Sequence, residues 1–436
     1  MPAVRLGLLG CGTVGGGVVR LLAAHREAFA RRVGGEISLV AALVRDRDKE
    51  RVPELERALV TTDPERLLAA DLDVVVEVMG GIEPAFELVS RAIAAGRSVV
   101  TANKMLLATR GAGLISDAKA RGVDLAFEAA VAGGIPVIRV LRDAFASDEV
   151  TELSGIVNGT SNHVLTEMRT RGVSFDEAVR DAQARGYAEA DPSTDVDGHD
   201  AAHKLAVLAM VAFGAHVDEA RIPRSGLRGL EAKDHALAAR FGYVIKPLAI
   251  ARGAAAAAGA TGPLHLAVHP ALVHKEAVLA NVNGVLNAVL VRGRALGPSL
   301  LTGRGAGDMP TAVSVVADIL DVARARLSGV TGLATRSISL SPREVADERD
   351  GTCRHYLRFA VLDRPGVIGR IATALGARGV SIEQMVQDGG GDGSGAGVDV
   401  VILTHAARHG DVRDTLAALE TEGFSAAPPR VLRVYE

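Results

Sequence analysis

The sequence predicts an α/β protein in three parts: a doubly wound parallel sheet, an α+β middle region and a small ferredoxin-like module. Three observations predict it. Over residues 1–130, short strand-like runs alternate with helical runs, the pattern of repeated βαβ units. The strand-like runs are nearly unbroken in apolar residues, so helices are expected to cover both faces of the sheet. Over residues 351–436 the elements run βαββα with a closing strand, a split βαβ arrangement.

Val4–Leu9 reads as the first buried strand and Val14–His25 as the helix after it. Ile37–Val44 and Asp73–Val78 are the next strands. Glu83–Ala95 is a helix stopped by Gly96, a residue suited to the left-handed turn that ends helices. Ser98–Thr101 and Leu125–Ala130 read as further strands. The alternation breaks in the middle region, residues 131–326. There Ser174 and Glu177 form a capping box that opens a short helix. Gly198–Phe213 is a long helix, Tyr243–Ala251 and Leu264–Val268 are strands, and residues 254–262 form an Ala/Gly-rich surface loop. Leu300–Arg326 holds a glycine-rich turn feeding a helix, which is expected to pack back on the first domain. Residues 327–350 are a mostly polar linker. In the last part Tyr356–Leu362, Ser381–Gln387 and Val398–Thr404 are strands, and Gly366–Gly376 and Asp411–Glu420 are helices. The stretch 389–397 is a glycine-rich, flexible loop.

Composition excludes several classes. The chain has 436 residues, a size for about three domains, and a net charge of −3 that gives no reason to expect nucleic acid or a membrane surface. No stretch approaches the ~20 apolar residues of a membrane helix. The first apolar run breaks directly into glycines, unlike a signal peptide, so a cytoplasmic location is expected. The two cysteines, Cys11 and Cys353, lie far apart, which fits a reduced protein without a disulfide framework. Neither is placed as a nucleophile, which argues against oxidation of an aldehyde through a thiohemiacetal.

Gly10-Cys11-Gly12-Thr13-Val14-Gly15 matches G-x-G-x-x-G between a strand and a helix. Such glycines allow a tight turn, close approach of a pyrophosphate and close helix packing, and the helix N-terminus supplies N–H donors. Residues 1–130 therefore read as a Rossmann-type dinucleotide-binding domain. After the second strand, Arg45 suits the 2′-phosphate of NADP, whereas Asp46, one residue on, suits the ribose of NAD. Lys104 follows a strand at the carboxyl edge of the sheet, where ligands bind in such folds. Further on, Glu189, Asp191, Asp195 and Asp197 precede a helix on which Asp200 and Lys204 share a face at i,i+4. Buried beside a substrate, that pair can orient a lysine for proton transfer. His199 and His203 have the same spacing, but no third ligand stands near, so zinc is not expected. Gly303–Gly307 before Pro310 is a second glycine loop, suited to close backbone approach.

The stretches LLGCGTVGGGV, TANKMLL, FEAAVAGGIPVI, GIVNGTSNHVLTEM, GYAEADPSTDVDGHDAAHKLAVLA and TGRGAGDMPTA together resemble homoserine dehydrogenase. HYLRFAVLDRPGVIGRIATALGARGVSIEQM resembles ACT modules, which bind small amino acids. The resemblance covers nearly the whole chain. It implies NAD(P)H-dependent reduction of L-aspartate 4-semialdehyde to L-homoserine, in the branch to threonine and methionine. Lys204 would be the proton donor, with Asp200 and Asp195 holding substrate and lysine. Glu189 and Gly186 would bind substrate. Lys104 and Gly80 would lie near the nicotinamide, Gly307 would close over it, and Gly10, Gly12, Thr13, Val14 and Gly15 would hold the phosphates. A monovalent cation, Na+ or K+, would sit on a loop of Glu128, Val131, Gly133 and Ile135. Residues 131–326 would bind substrate and form a homodimer or homotetramer, and residues 351–436 would be an ACT regulatory domain with threonine as effector, near Asp363–Gly366. The competing class is a non-catalytic sensor made of a Rossmann domain and an ACT module. Such a sensor has no need of the Glu189-to-Lys204 block.

Overall fold

A computed structural model describes residues 2–253, 262–388, 397–420 and 427–436. The loops expected over 254–262 and 389–397 lie, apart from Gly262 and Gly397, outside those residues. The first sheet holds β1 (Ala3–Leu9), β2 (Glu36–Leu43), β3 (Val60–Thr61), β4 (Val74–Glu77), β5 (Ser98–Thr101) and β6 (Leu125–Ala126). Their order is β3-β2-β1-β4-β5-β6, and every pairing is parallel. This is the doubly wound arrangement, with its switch point between β1 and β4. The strands bury both faces, as their apolar runs require: Val74, Val75, Val99 and Val100 are all fully inaccessible.

Helix α1 (Thr13–Ala24) follows β1 directly, and α2 (Lys104–Arg121) follows β5. One feature crosses from the middle region. The helix Asp308–Leu327 packs on α1, where a Cβ added at Gly17 would come within 2.8 Å of the Ala312 side chain. Only a glycine admits that approach.

The second sheet has nine strands. Five come from the middle region: β7 (Val150–Ile156), β8 (Tyr243–Gly253), β9 (Leu264–His274), β10 (Leu286–Gly293) and β11 (Gly297–Arg304). Four come from the C-terminal part: β12 (His355–Val361), β13 (Ile382–Asp388), β14 (Val398–Thr404) and β15 (Arg430–Tyr435). The order is β11-β10-β7-β8-β9-β15-β12-β14-β13. The C-terminal strands therefore extend the middle sheet instead of closing a separate one. The joint is parallel pairing of β9 with β15. Residues 327–350 also pack on the first domain: Gly332 and Ala334 amides donate to Asp124, and Thr335 accepts from the Leu125 amide.

Three expectations need correction. The strand expected over Leu125–Ala130 stops at Ala126, and Glu128–Ala130 is a single 3-10 turn. The cause is the Glu128 side chain, which accepts from the amides of Ile138 and Arg139 and pulls the chain out of the sheet. Gly303 belongs to strand β11 rather than to the turn, which is confined to residues 305–307. Strand β9 runs six residues past Val268 to His274. The extra length is stabilised by its antiparallel ladder with β8.

Candidate active site

The site lies between the carboxyl edge of the first sheet and the helices of the middle region. Helix α3 (Gly159–Arg171) is capped by the Asn158 side chain, whose Oδ1 accepts from the Ser161 amide. Helix α4 (His199–Phe213) starts after Gly198, which holds φ at +86° and turns the acidic block sharply into the helix. From there Leu205, Leu208 and Ala209 are buried and fix α4 in the core. The same anchoring takes Asp200 and Lys204 out of water, leaving them 4% and 9% exposed.

Three side chains meet on Asp200. Lys204 Nζ donates to Asp200 Oδ2 at 2.6 Å and to the Val157 carbonyl at 2.7 Å. Lys104, on the first domain, places Nζ 2.9 Å from Asp200 Oδ1. Asn158 Nδ2 donates to Asp200 Oδ2 at 2.8 Å and to Asp195 Oδ1 at 2.7 Å. An ammonium has three donors. Among the described residues Lys204 uses two of them, which leaves the third for a ligand atom.

The electrostatics follow from that packing. Burial opposes ionisation of Asp200, but the charges of Lys204 and Lys104 outweigh it and hold the carboxylate well below the usual range. Burial also lowers Lys204, and the Lys104 charge lowers it further, against the pull of Asp200. Lys104 is raised, chiefly by the Asp200 charge. The two lysines thus move in opposite directions around one carboxylate. A lysine lowered in this way gives up its proton more readily than a free one, as general acid–base work requires.

A cleft of about 680 Å³ opens onto this cluster. Its lining includes Lys104, Lys204, Asp195 and Asp200 together with Gly186, Glu189, Thr160 and Gly305–Gly307. Glu189 is exposed toward the cleft, a free carboxylate for a cationic group. Gly307 has φ +127° and precedes its helix. A Cβ at Gly305 would fall 2.0 Å from the Asn287 side-chain amide, so that loop closes on the cleft as bare backbone.

The glycines of the first loop separate by physical role. Gly10 holds φ at +94° beside the Val78 carbonyl. A Cβ at Gly15 would lie 2.3 Å from the Gly10 carbonyl oxygen. A Cβ at Gly12 would meet nothing within 4 Å. Among the described residues no atom explains Gly12, the second glycine of the motif, whereas approach of a pyrophosphate does. Thr13 and Val14 begin α1, whose first amides lack helical acceptors. Arg45 is exposed just past β2, and Gly80, φ +74°, just past β4. These residues fit a dinucleotide.

In the turn over residues 128–136, Glu128, Val131, Gly133 and Ile135 are all buried, with Gly134 and Pro136 exposed between and after them. Ala132 holds a positive φ of 54°, and Gly133, φ +46°, would bring a Cβ within 2.5 Å of the Gly305 carbonyl oxygen. The Gly133 carbonyl accepts from Ser314 and that of Ile135 from the Val137 amide. Each keeps a second lone pair, and an all-oxygen set suits a hard cation.

Two functional residues have no assigned role in the sequence reading. Asn158 lies within GIVNGT, but nothing in that spacing shows that one amide reaches two carboxylates 37 and 42 residues away. Glu77 is fully buried and accepts from the Met79 and Gly80 amides, from Thr101 Oγ1 and from Asn103 Nδ2. It fixes the loop that carries Gly80 and the start of α2. A carboxylate inside the run DVVVEV was the available signal.

Comparison with known proteins gives the same outline. The family model for homoserine dehydrogenase matches residues 136–320, that for the homoserine dehydrogenase NAD-binding domain residues 10–128, and that for the ACT domain residues 355–423. The chain is 41% identical to a homoserine dehydrogenase of Pseudomonas aeruginosa, with 99% of each chain covered. It is 37% identical to that of Bacillus subtilis, over 96% of this chain and 95% of the relative. A crystal structure of a homoserine dehydrogenase from Thiobacillus denitrificans superposes with a TM-score of 0.92 at 41% identity, covering 100% of this chain and 99% of that one. A hyperthermophilic archaeal homoserine dehydrogenase in complex with NADPH matches 73% of this chain and 97% of its own, with a TM-score of 0.61 at 27% identity.

Proposed function

The chain belongs to the homoserine dehydrogenase family, and from that premise we propose how its own residues carry out the reduction of L-aspartate 4-semialdehyde to L-homoserine. The observation that carries the proposal is the buried Lys204, held by Asp200 and the Val157 carbonyl with one N–H left for the cleft. When bound, the reduced nicotinamide supplies a hydride to C4 of the aldehyde. Lys204 stabilises the charge that grows on the aldehyde oxygen and delivers its proton there. Asp200 and Asn158 hold the ammonium in place. Lys104 lowers the cost of proton release by its like charge. Glu189 takes the substrate ammonium, and Gly186 lets the chain pass close to it. Asp195, oriented by Asn158, holds the substrate beside Lys204.

For the cofactor, Gly10, Gly12, Thr13, Val14 and Gly15 hold the pyrophosphate, and Gly80, Lys104 and Gly307 border the nicotinamide. Arg45 favours NADPH over NADH by pairing with a 2′-phosphate. A monovalent cation on Glu128, Val131, Gly133 and Ile135 stiffens the turn against the Gly305 loop. Replacing Na+ or K+ by tetramethylammonium should then lower the melting temperature. The C-terminal part binds an amino-acid effector, with threonine as the expected one. The chain works in the cytoplasm, and no described helix is long and apolar enough to cross a membrane. Assembly as a homodimer or homotetramer is supported by the edge strand β11, where Leu300 is exposed, and by the turn before it, where Leu296 is exposed.

The test follows NADPH absorbance on addition of aspartate semialdehyde. Stoichiometric oxidation with formation of homoserine is expected, and no oxidation with either NADPH or NADH would end the reading.

A further inference from the structure

Asn287, on β10, is 1% exposed, and neither its Oδ1 nor its Nδ2 has a hydrogen-bond partner among the described residues. A buried amide without partners has given up water for nothing, so native structures rarely leave both of its ends bare. Asn287 nevertheless belongs to the wall of the active-site cleft. No step of the reduction described above uses it.

Two segments touch this amide. A Cβ on Gly305 would fall 2.0 Å from its Nδ2 and Cγ and 2.5 Å from its Oδ1, so the amide lies against the Gly305 main chain. A Cβ on Gly159, at the start of α3, would stand 3.7 Å from Oδ1. Gly159 follows Asn158, whose own amide holds Asp195 and Asp200. The Gly305–Gly307 loop is bare in the same way as Asn287. Among the described residues the amides of Gly305, Ala306 and Gly307 donate to no acceptor. The loop is anchored at both ends, by the Arg304 carbonyl, which accepts from the Gly134 amide, and by the Gly307 carbonyl, which accepts from the Thr311 amide. Between those anchors, unpaired main chain and an unpaired side-chain amide lie in contact. An asparagine amide offers both a donor and an acceptor, as main chain does, so the two can satisfy each other. Glycine at 305 and 307 leaves the loop's angles free to change without moving the anchors.

We propose that Asn287 is a positioning residue for the reduction: it latches the Gly305–Gly307 loop in a second arrangement, adopted when the nicotinamide end of the cofactor occupies the cleft. In that arrangement Asn287 hydrogen-bonds the loop main chain, and the other loop amides, at the positive end of the 20-residue helix Asp308–Leu327, face the dinucleotide. The bond left unmade in the free protein is then gained on binding, which favours the latched state only when cofactor is present. Because Asn287 also touches Gly159, latching sets the cofactor side of the cleft against the turn that carries Asn158. This deepens the cofactor reading above and rests on it.

The experiment measures calorimetric binding of NADPH, and of its fragment without nicotinamide, 2′-phospho-ADP-ribose, to the full chain and to Asn287→Leu and Asn287→Ala. NADH and ADP-ribose take their place if NADH binds the wild type more tightly. Leu keeps the branched shape without polar atoms, and Ala removes the group altogether. Both variants should bind the dinucleotide at least about tenfold more weakly, the loss of roughly one hydrogen bond, and should bind the fragment as the wild type does. With the unpaired amide gone, at least one of the two free chains should melt no earlier than the wild type, which an asparagine already paired in the free protein would not allow. A smaller loss of dinucleotide affinity in either variant, a comparable loss for the fragment, or earlier melting of both free chains overturns the latch while leaving the cofactor reading intact. A wild-type chain that binds neither NADPH nor NADH overturns both.

Discussion

Replacing Lys104 by Met should move the pH profile of the reaction in a direction fixed by the geometry. Lys104 and Lys204 sit on opposite oxygens of Asp200, at 2.9 and 2.6 Å. Two cations so placed are about 5 Å apart, and at an effective dielectric of ~20 they repel by about 3 kcal/mol, or about 2 pKa units. Lys104 is 38% exposed in its side chain, so solvent reduces this to roughly one to two units. Lys204 is lowered by burial first and by Lys104 second, so removing Lys104 raises it. Reduction of the aldehyde needs the protonated lysine, and activity falls as pH rises through its pKa. In Lys104→Met the alkaline limb of kcat should therefore move up by one to two units, whatever the loss in absolute rate. In homoserine oxidation, which needs the neutral lysine, the acid limb should move up by the same amount. Initial rates in both directions from pH 6 to 11, at saturating cofactor, measure this. An unmoved limb, or one displaced downward, would refute the electrostatic coupling.

Three further outcomes follow from the same structure. Asn158→Asp keeps the cap of α3 but loses the donor shared by Asp195 and Asp200 and sets a carboxylate against both, so kcat should drop by roughly 10²-fold; a kcat within twofold of wild type would contradict the role given to Asn158. Gly12→Ala should raise the NADPH dissociation constant at least tenfold without destabilising the free protein, whereas Gly15→Ala, whose Cβ would overlap the Gly10 carbonyl, should cost about 1–3 kcal/mol of stability; calorimetry and thermal melts separate the two. Lys246 is buried on β8 among Val282, Asn283 and Arg169, and burial, then the Arg169 charge, brings its pKa down to about 7. The unfolded chain binds that proton up to a pKa of about 10.4, so this site penalises folding below pH 7 and the penalty fades as pH rises toward 10. Melting temperatures of Lys246→Met relative to wild type should accordingly fall between pH 7 and pH 10, and a difference independent of pH would show that Lys246 is not held neutral.

Much of this was legible in the sequence because local rules governed it. The apolar runs of β1, β4 and β5, the glycine loop and the capping at Ser174 each depend on residues within a few positions. The pair Asp200–Lys204 was readable too, since i,i+4 spacing places both on one face and the apolar run after it implied burial. Other features depend on contacts between distant segments. The merging of the C-terminal strands into the middle sheet needs β15 to reach β9, about 160 residues earlier. Glu128 ends its strand early because of amides ten and eleven residues on. That Lys104 shares Asp200 with Lys204 could be guessed as a nearby like charge, but the carboxylate between them came only from the packing of two domains. Asn158 was invisible for the same reason: it acts through partners distant in sequence.

The central claim is that Lys204 is the proton donor to the aldehyde. The direct measurement is turnover of Lys204→Met with aspartate semialdehyde and NADPH, alongside calorimetric NADPH binding. A loss of kcat of about 10²–10⁴-fold, with cofactor affinity unchanged, is the predicted result. Wild-type turnover in that variant would contradict it.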